Sequence, residues 1–85
     1  NFPNTEMGWG EAACRITFTN HNVAGVLGDV LSQFAKDNVN VIDMVNKSRG
    51  DVAYNILDLE TVPTDSILES LRNTEYVTSV RVLTR

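Results

Sequence analysis

Few residues in this chain combine type and spacing in a way that could do chemistry, and most of them crowd one place. Asn20-His21-Asn22 is followed at once by Val23-Ala24-Gly25-Val26-Leu27, where an alternating apolar run gives way to an amphipathic one. A carboxamide offers both a donor and an acceptor. The first turn of a helix adds unpaired N–H groups and a partial positive charge. Together they suit a zwitterion, with its carboxylate at the helix start and its ammonium or hydroxyl on the amides. Gly25 would let such a ligand come close to the backbone. A purely local reading competes, because asparagine at Asn22 is also among the best helix N-caps. Chemistry alone leaves both open. Asn40, further along, reads by itself as a turn residue.

Catalysis has too few parts here. His21 is the single histidine, and no serine or cysteine is set beside it by the sequence. A hydrolase that cradles phosphate in such a turn would want an arginine there, and a metal carrier would want paired cysteines. Neither is present in Asn20-His21-Asn22. Nucleic-acid binding fares no better: Arg15, Tyr54 and Arg81 are sparse, and the net charge of -4 has the wrong sign for a phosphate backbone. No apolar run approaches the roughly 20 residues of a membrane span, and no signal-peptide pattern opens the chain. We therefore expect neither nucleic acid nor membrane as a partner. The lone Cys14 excludes an internal disulfide and reads as a small core hydrophobe, which fits a reducing, cytoplasmic setting.

The elements that must position the turn follow from periodicity. With 85 residues and 42% hydrophobic content, one small domain with one core is expected. Residues 1–11 hold Pro3, Gly8, Trp9 and Gly10 without periodicity and read as a linker or arm, leaving 12–85 as the domain. Ala12, Cys14, Ile16 and Phe18 alternate with Ala13, Arg15, Thr17 and Thr19, so 12–19 is a strand. Val23, Val26, Leu27, Val30, Leu31 and Phe34 recur at three and four, which predicts a helix over 23–38 with Asn38 free to take the left-handed end position. Gly25 and Gly28 on that helix suggest a close backbone approach, either to a strand or to a ligand. Residues 39–47 form a strand whose pattern slips, which suggests a bulge at Ile42-Asp43.

Gly50 turns the chain into a third strand, 52–60, apolar on both faces and therefore central or covered. Thr64 or Asp65 caps a short helix carrying Ile67, Leu68 and Leu71, and 75–84 is the last strand. The order strand, helix, strand, strand, helix, strand predicts an α+β sandwich of ferredoxin-like βαββαβ type. Its four antiparallel strands would run 2-3-1-4, with both helices on one face. Strand 2 would be an edge, open to pairing with a second copy.

Four stretches resemble the ACT domain: Asn20 to Leu27, Val39-Asn40-Val41, Gly50 to Glu60, and Val80 to Leu83. More narrowly, they resemble the C-terminal regulatory ACT domains of D-3-phosphoglycerate dehydrogenases, and Asn1-Phe2-Pro3 resembles the junction with the catalytic part. The resemblance implies a non-catalytic domain that takes L-serine or another small amino acid and gives allosteric feedback control of serine biosynthesis. It implies a homodimer paired through strand-2 edges, acting on the catalytic domain of the parent chain. That parent would be an NAD-dependent oxidoreductase, with no cofactor or metal in this domain. Carried over by position, Asn20 and Asn22 are ligands from the turn, Val23, Ala24 and Gly25 bring backbone N–H groups, and Asn40 reaches in from the other copy. Some relatives have histidine where Asn20 stands, and proline is common at the position of Ala24. The alternatives are an assembly module that binds no effector, or an ACT domain for another amino acid.

Overall fold

A computed structural model describes residues 10–85. The arm predicted from the sequence lies largely outside them, with Phe2, Pro3 and Trp9. Six elements follow in order: β1 (Cys14–His21), α1 (Val26–Lys36), β2 (Val41–Arg49), β3 (Val52–Leu59), α2 (Asp65–Arg72) and β4 (Val77–Thr84). The strands form one antiparallel sheet in the order β2-β3-β1-β4. This is the expected ferredoxin-like arrangement.

The core lies between the helices and one sheet face. Ala12 is 1% exposed, Cys14 and Ile16 are 0%, and Phe18 is 2%, so the alternation of β1 is a true half-buried pattern. From β3 come Ala53, Leu57 and Leu59, and from the helices Val26, Val30, Phe34, Ile67, Leu68 and Leu71. Each large apolar side chain fully buried in this way stabilises the fold by about 1.5–3 kcal/mol. Beyond α1, Asn38 takes φ 58 and the N–H of Val39 donates to the carbonyl of Phe34 at 2.9 Å, the helix end expected of an asparagine at this position. At the start of α2 the Thr64 hydroxyl accepts from the N–H of Ile67 at 3.3 Å.

Two irregularities shape the sheet. The register of β2 on β3 slips between Val41 and Asp43, which leaves Ile42 as the extra residue of a bulge where the sequence pattern faltered. A second slip, between Thr19 and Asn20 on β1, falls opposite Thr78 and was not expected. It turns Val77 onto the same face as Val80 and Val82, all three packed on the core. The sequence reading of 75–84 as a strand puts Tyr76 inside it. Tyr76 instead precedes β4 with φ 74, a strained value for a bulky residue. On the open sheet face, Arg15 grips Asp58 through Nε–Oδ1 at 2.6 Å and Nη2–Oδ2 at 2.9 Å. That bond holds the guanidinium protonated, its pKa raised further above the usual arginine range.

β2 carries little cover. Of its hydrophobic residues only Val41 packs against the core, while Ile42 and Met44 are 43% and 44% exposed.

Candidate functional site

The turn after β1 is stitched to its neighbours by main-chain bonds. The N–H of His21 donates to the carbonyl of Tyr76 at 2.8 Å, and that of Asn22 to the carbonyl of Asp51 at 2.8 Å. The N–H of Val23 turns back onto the carbonyl of His21 at 2.7 Å. This extra tight turn is why the helix begins at Val26 rather than at Val23, and why Val23 is 42% exposed instead of sitting on the apolar stripe. Gly25 is the N-cap residue, at φ 94, and no side chain caps the helix. The capping alternative for Asn22 therefore does not hold. Nor do Gly25 and Gly28 mark a close approach to a strand, since a Cβ at either would meet nothing within 4 Å. At Gly25 the need is conformational, a left-handed backbone that other residues rarely adopt.

Asn22 is exposed and ties the turn to the β2–β3 hairpin. Its Nδ2 donates to the carbonyl of Gly50 at 3.1 Å, and the Ser48 hydroxyl approaches its Oδ1 at 3.5 Å. Among the described residues no acceptor takes the N–H groups of Ala24 and Gly25. Val23 differs, because its N–H is already spent on His21. Asn20, on the strand rather than in the turn, is 4% exposed, with its Oδ1 accepting from Asn55 at 2.8 Å and its Nδ2 donating to the carbonyl of His21 at 2.7 Å. His21 is exposed, its ring edge-on to Tyr76 at 6.4 Å.

Asn20, Asn22, Val23, Ala24 and Gly25 thus gather at one end of the sheet, beside the β2–β3 hairpin. Asn40 does not join them. It precedes β2 at the opposite end, where its carbonyl accepts from Glu60 at 3.0 Å. The length of β2 separates them, on the order of 25 Å at strand rise. Sequence reasoning missed Asn55 and Asn46, which hydrogen-bond to one another at 2.6 Å. The signal was present for Asn55: a carboxamide holds a core-facing position between Ala53 and Leu57 and is 2% exposed. Burial also raises the pKa of the Cys14 thiol, assisted by the charge of Asp58.

Neither family models nor curated protein sequences give a match to this chain. Solved structures do. The ACT domain from GTP pyrophosphokinase of Chlorobium tepidum superposes with a TM-score of 0.70 at 17% identity, covering 85% of this chain and 97% of that one. An ACT domain protein from Streptococcus pneumoniae gives 0.68 at 14% identity, over 86% and 89%. The C-terminal domain of the MgtC protein from Mycobacterium tuberculosis gives 0.64 at 13% identity, over 87% of each. At such identities the likeness is one of fold, and the fold of this chain is that of ACT domains.

Proposed function

We propose that the chain is a non-catalytic regulatory domain that binds a small amino acid, L-serine in the first place, between two of its own copies. The observation that carries this reading is the α1 entrance. Its helix start has no side-chain cap, the N–H groups of Ala24 and Gly25 have no acceptor among the described residues, and the exposed Asn22 lies just before them in the same turn. Such an end attracts a carboxylate. The position of Asn40 agrees with a shared site. Within one copy it lies a strand length from the turn, but two β2 edges paired antiparallel about a twofold axis would bring the start of one β2 beside the hairpin end of the other. Asn40 of one copy would then meet the Asn22 turn of its neighbour. Asn20 forms the floor beneath the ligand, with one amide hydrogen still to offer.

In this reading the domain belongs to a D-3-phosphoglycerate dehydrogenase, an NAD-dependent cytoplasmic enzyme, and gives serine feedback over it. Residues 1–11 link domain to catalytic part. The cofactor chemistry is that of the parent. Serine stabilises one arrangement of the pair, and the effect on the catalytic part is set by the difference in serine affinity between arrangements.

A thermal-shift series over the twenty amino acids tests it. A ligand at a hundredfold excess over its Kd stabilises by about 2.7 kcal/mol, which at this size raises the melting point by about 10 °C or more. Serine is expected to stand out, and a rise confined to glycine or an aromatic amino acid would reassign the effector. A second reading is favoured by the exposed Ile42 and Met44 on β2: a pairing module with no effector. A flat series with a stable dimer would select it.

A further inference from the structure

The hydrogen bonds of Asn20 lead away from the turn, across the sheet. Asn46, on β2, donates from Nδ2 to Asn55 Oδ1 at 2.6 Å. Asn55, on β3, donates from Nδ2 to Asn20 Oδ1 at 2.8 Å and to the carbonyl of Phe18 at 3.2 Å. Asn20, on β1, donates from Nδ2 to the carbonyl of His21 at 2.7 Å. A main-chain carbonyl can only accept, so Phe18 and His21 fix which end of each carboxamide carries nitrogen. The row therefore has one polarity, from the free edge of the sheet to the ligand turn.

Its two inner members, Asn20 and Asn55, are 4% and 2% exposed, so neither can turn away to water if a partner is lost. Its outer member behaves otherwise. Asn46 is exposed and lies on the edge strand, and its side chain makes a single hydrogen bond. It is the member of the row that a second strand laid along β2 would confine. An apolar side chain at Asn55, between Ala53 and Leu57, would leave the buried Oδ1 of Asn20 without its donor and free Asn46 from the row.

We propose that Asn55 is a positioning residue for the ligand turn, and that the Asn46–Asn55–Asn20 row couples pairing along the β2 edge to the shape of that turn. The coupling to ligand rests on the amino-acid-binding reading above; the coupling between edge and turn does not.

Two measurements on this chain separate them. In nitrogen-15 spectra, diluting the wild-type dimer to monomer should move the side-chain amide of the buried Asn20. Asn46→Ala, a change at an exposed residue, should abolish that movement. Asn20 resonances that ignore dilution, or that respond equally in Asn46→Ala, overturn the proposal whether or not serine binds. Sedimentation with and without saturating L-serine then reads the linkage. Serine should tighten wild-type pairing about tenfold, within the range usual for such couplings, and Asn55→Leu or Asn46→Ala should cut this below twofold. A merely structural role would lower the melting point of Asn55→Leu yet leave the serine-dependent tightening intact. Should Asn55→Leu fail to fold, Asn46→Ala decides the matter alone. Wild-type protein that binds no amino acid removes the functional reading, and the dilution spectra still judge the row.

Discussion

Asn22→Ala separates binding from folding more cleanly than any other single change. The side chain is exposed, and its contacts are one donation to Gly50 at 3.1 Å and an approach from Ser48 at 3.5 Å that barely qualifies as a hydrogen bond. An exposed hydrogen bond contributes about 0.5–1 kcal/mol net. A loss of that size lowers the melting point of a small domain by roughly 6 °C or less. A hydrogen bond to a charged ligand group contributes about 1.5–3 kcal/mol, so serine affinity should fall between about tenfold and 150-fold. Titration calorimetry of the folded variant, beside a thermal melt and a sedimentation run, reads all three quantities. A folded, dimeric Asn22→Ala that binds serine as the wild type does would refute the site. A melting-point loss well beyond 6 °C would instead make Asn22 a brace for the hairpin. Asn20→Ala cannot make the same separation, because it takes one of two acceptors from the buried Asn55 amide and unsettles fold and turn together.

Met44→Lys places a charge on the bare β2 edge at a residue already 44% exposed, so the monomer should keep its fold and melting point while the dimer disappears from sedimentation profiles. Asn38→Ala should cost about 1–2 kcal/mol in chemical denaturation, since alanine at φ 58 is strained, whereas Asn38→Gly should be nearly neutral. Cys14 is fully buried and its thiol pKa is raised, so thiol reagents should react only at the rate of opening. The same shift has a defined sign with pH. The unfolded chain gives up this proton more readily than the folded one, so stability should fall as pH rises past the ordinary thiol value of 9.0. Cys14→Ala should flatten that part of the profile.

Much of this protein was legible before any coordinates. The period-two run ending at Phe18 and the three-four spacing from Val26 to Phe34 can each bury an apolar face in only one way, and the βαββαβ order then leaves few topologies. The bulge at Ile42 showed as a slip in the pattern, and the left-handed Asn38 as a residue type suited to a helix end. Local chemistry could not choose a role for Asn22, because a cap and a ligand contact ask for the same side chain. Only the tight turn at Val23, held between Asp51 and Tyr76 from distant parts of the chain, moved the helix start to Val26 and freed Asn22 from capping. In the same way the slip opposite Thr78 turned Val77 inward, a consequence of pairing between strands far apart in sequence. The carboxamide row is the clearest tertiary decision: Asn20, Asn46 and Asn55 have ordinary neighbours along the chain, and become one hydrogen-bonded path only because β2, β3 and β1 lie side by side.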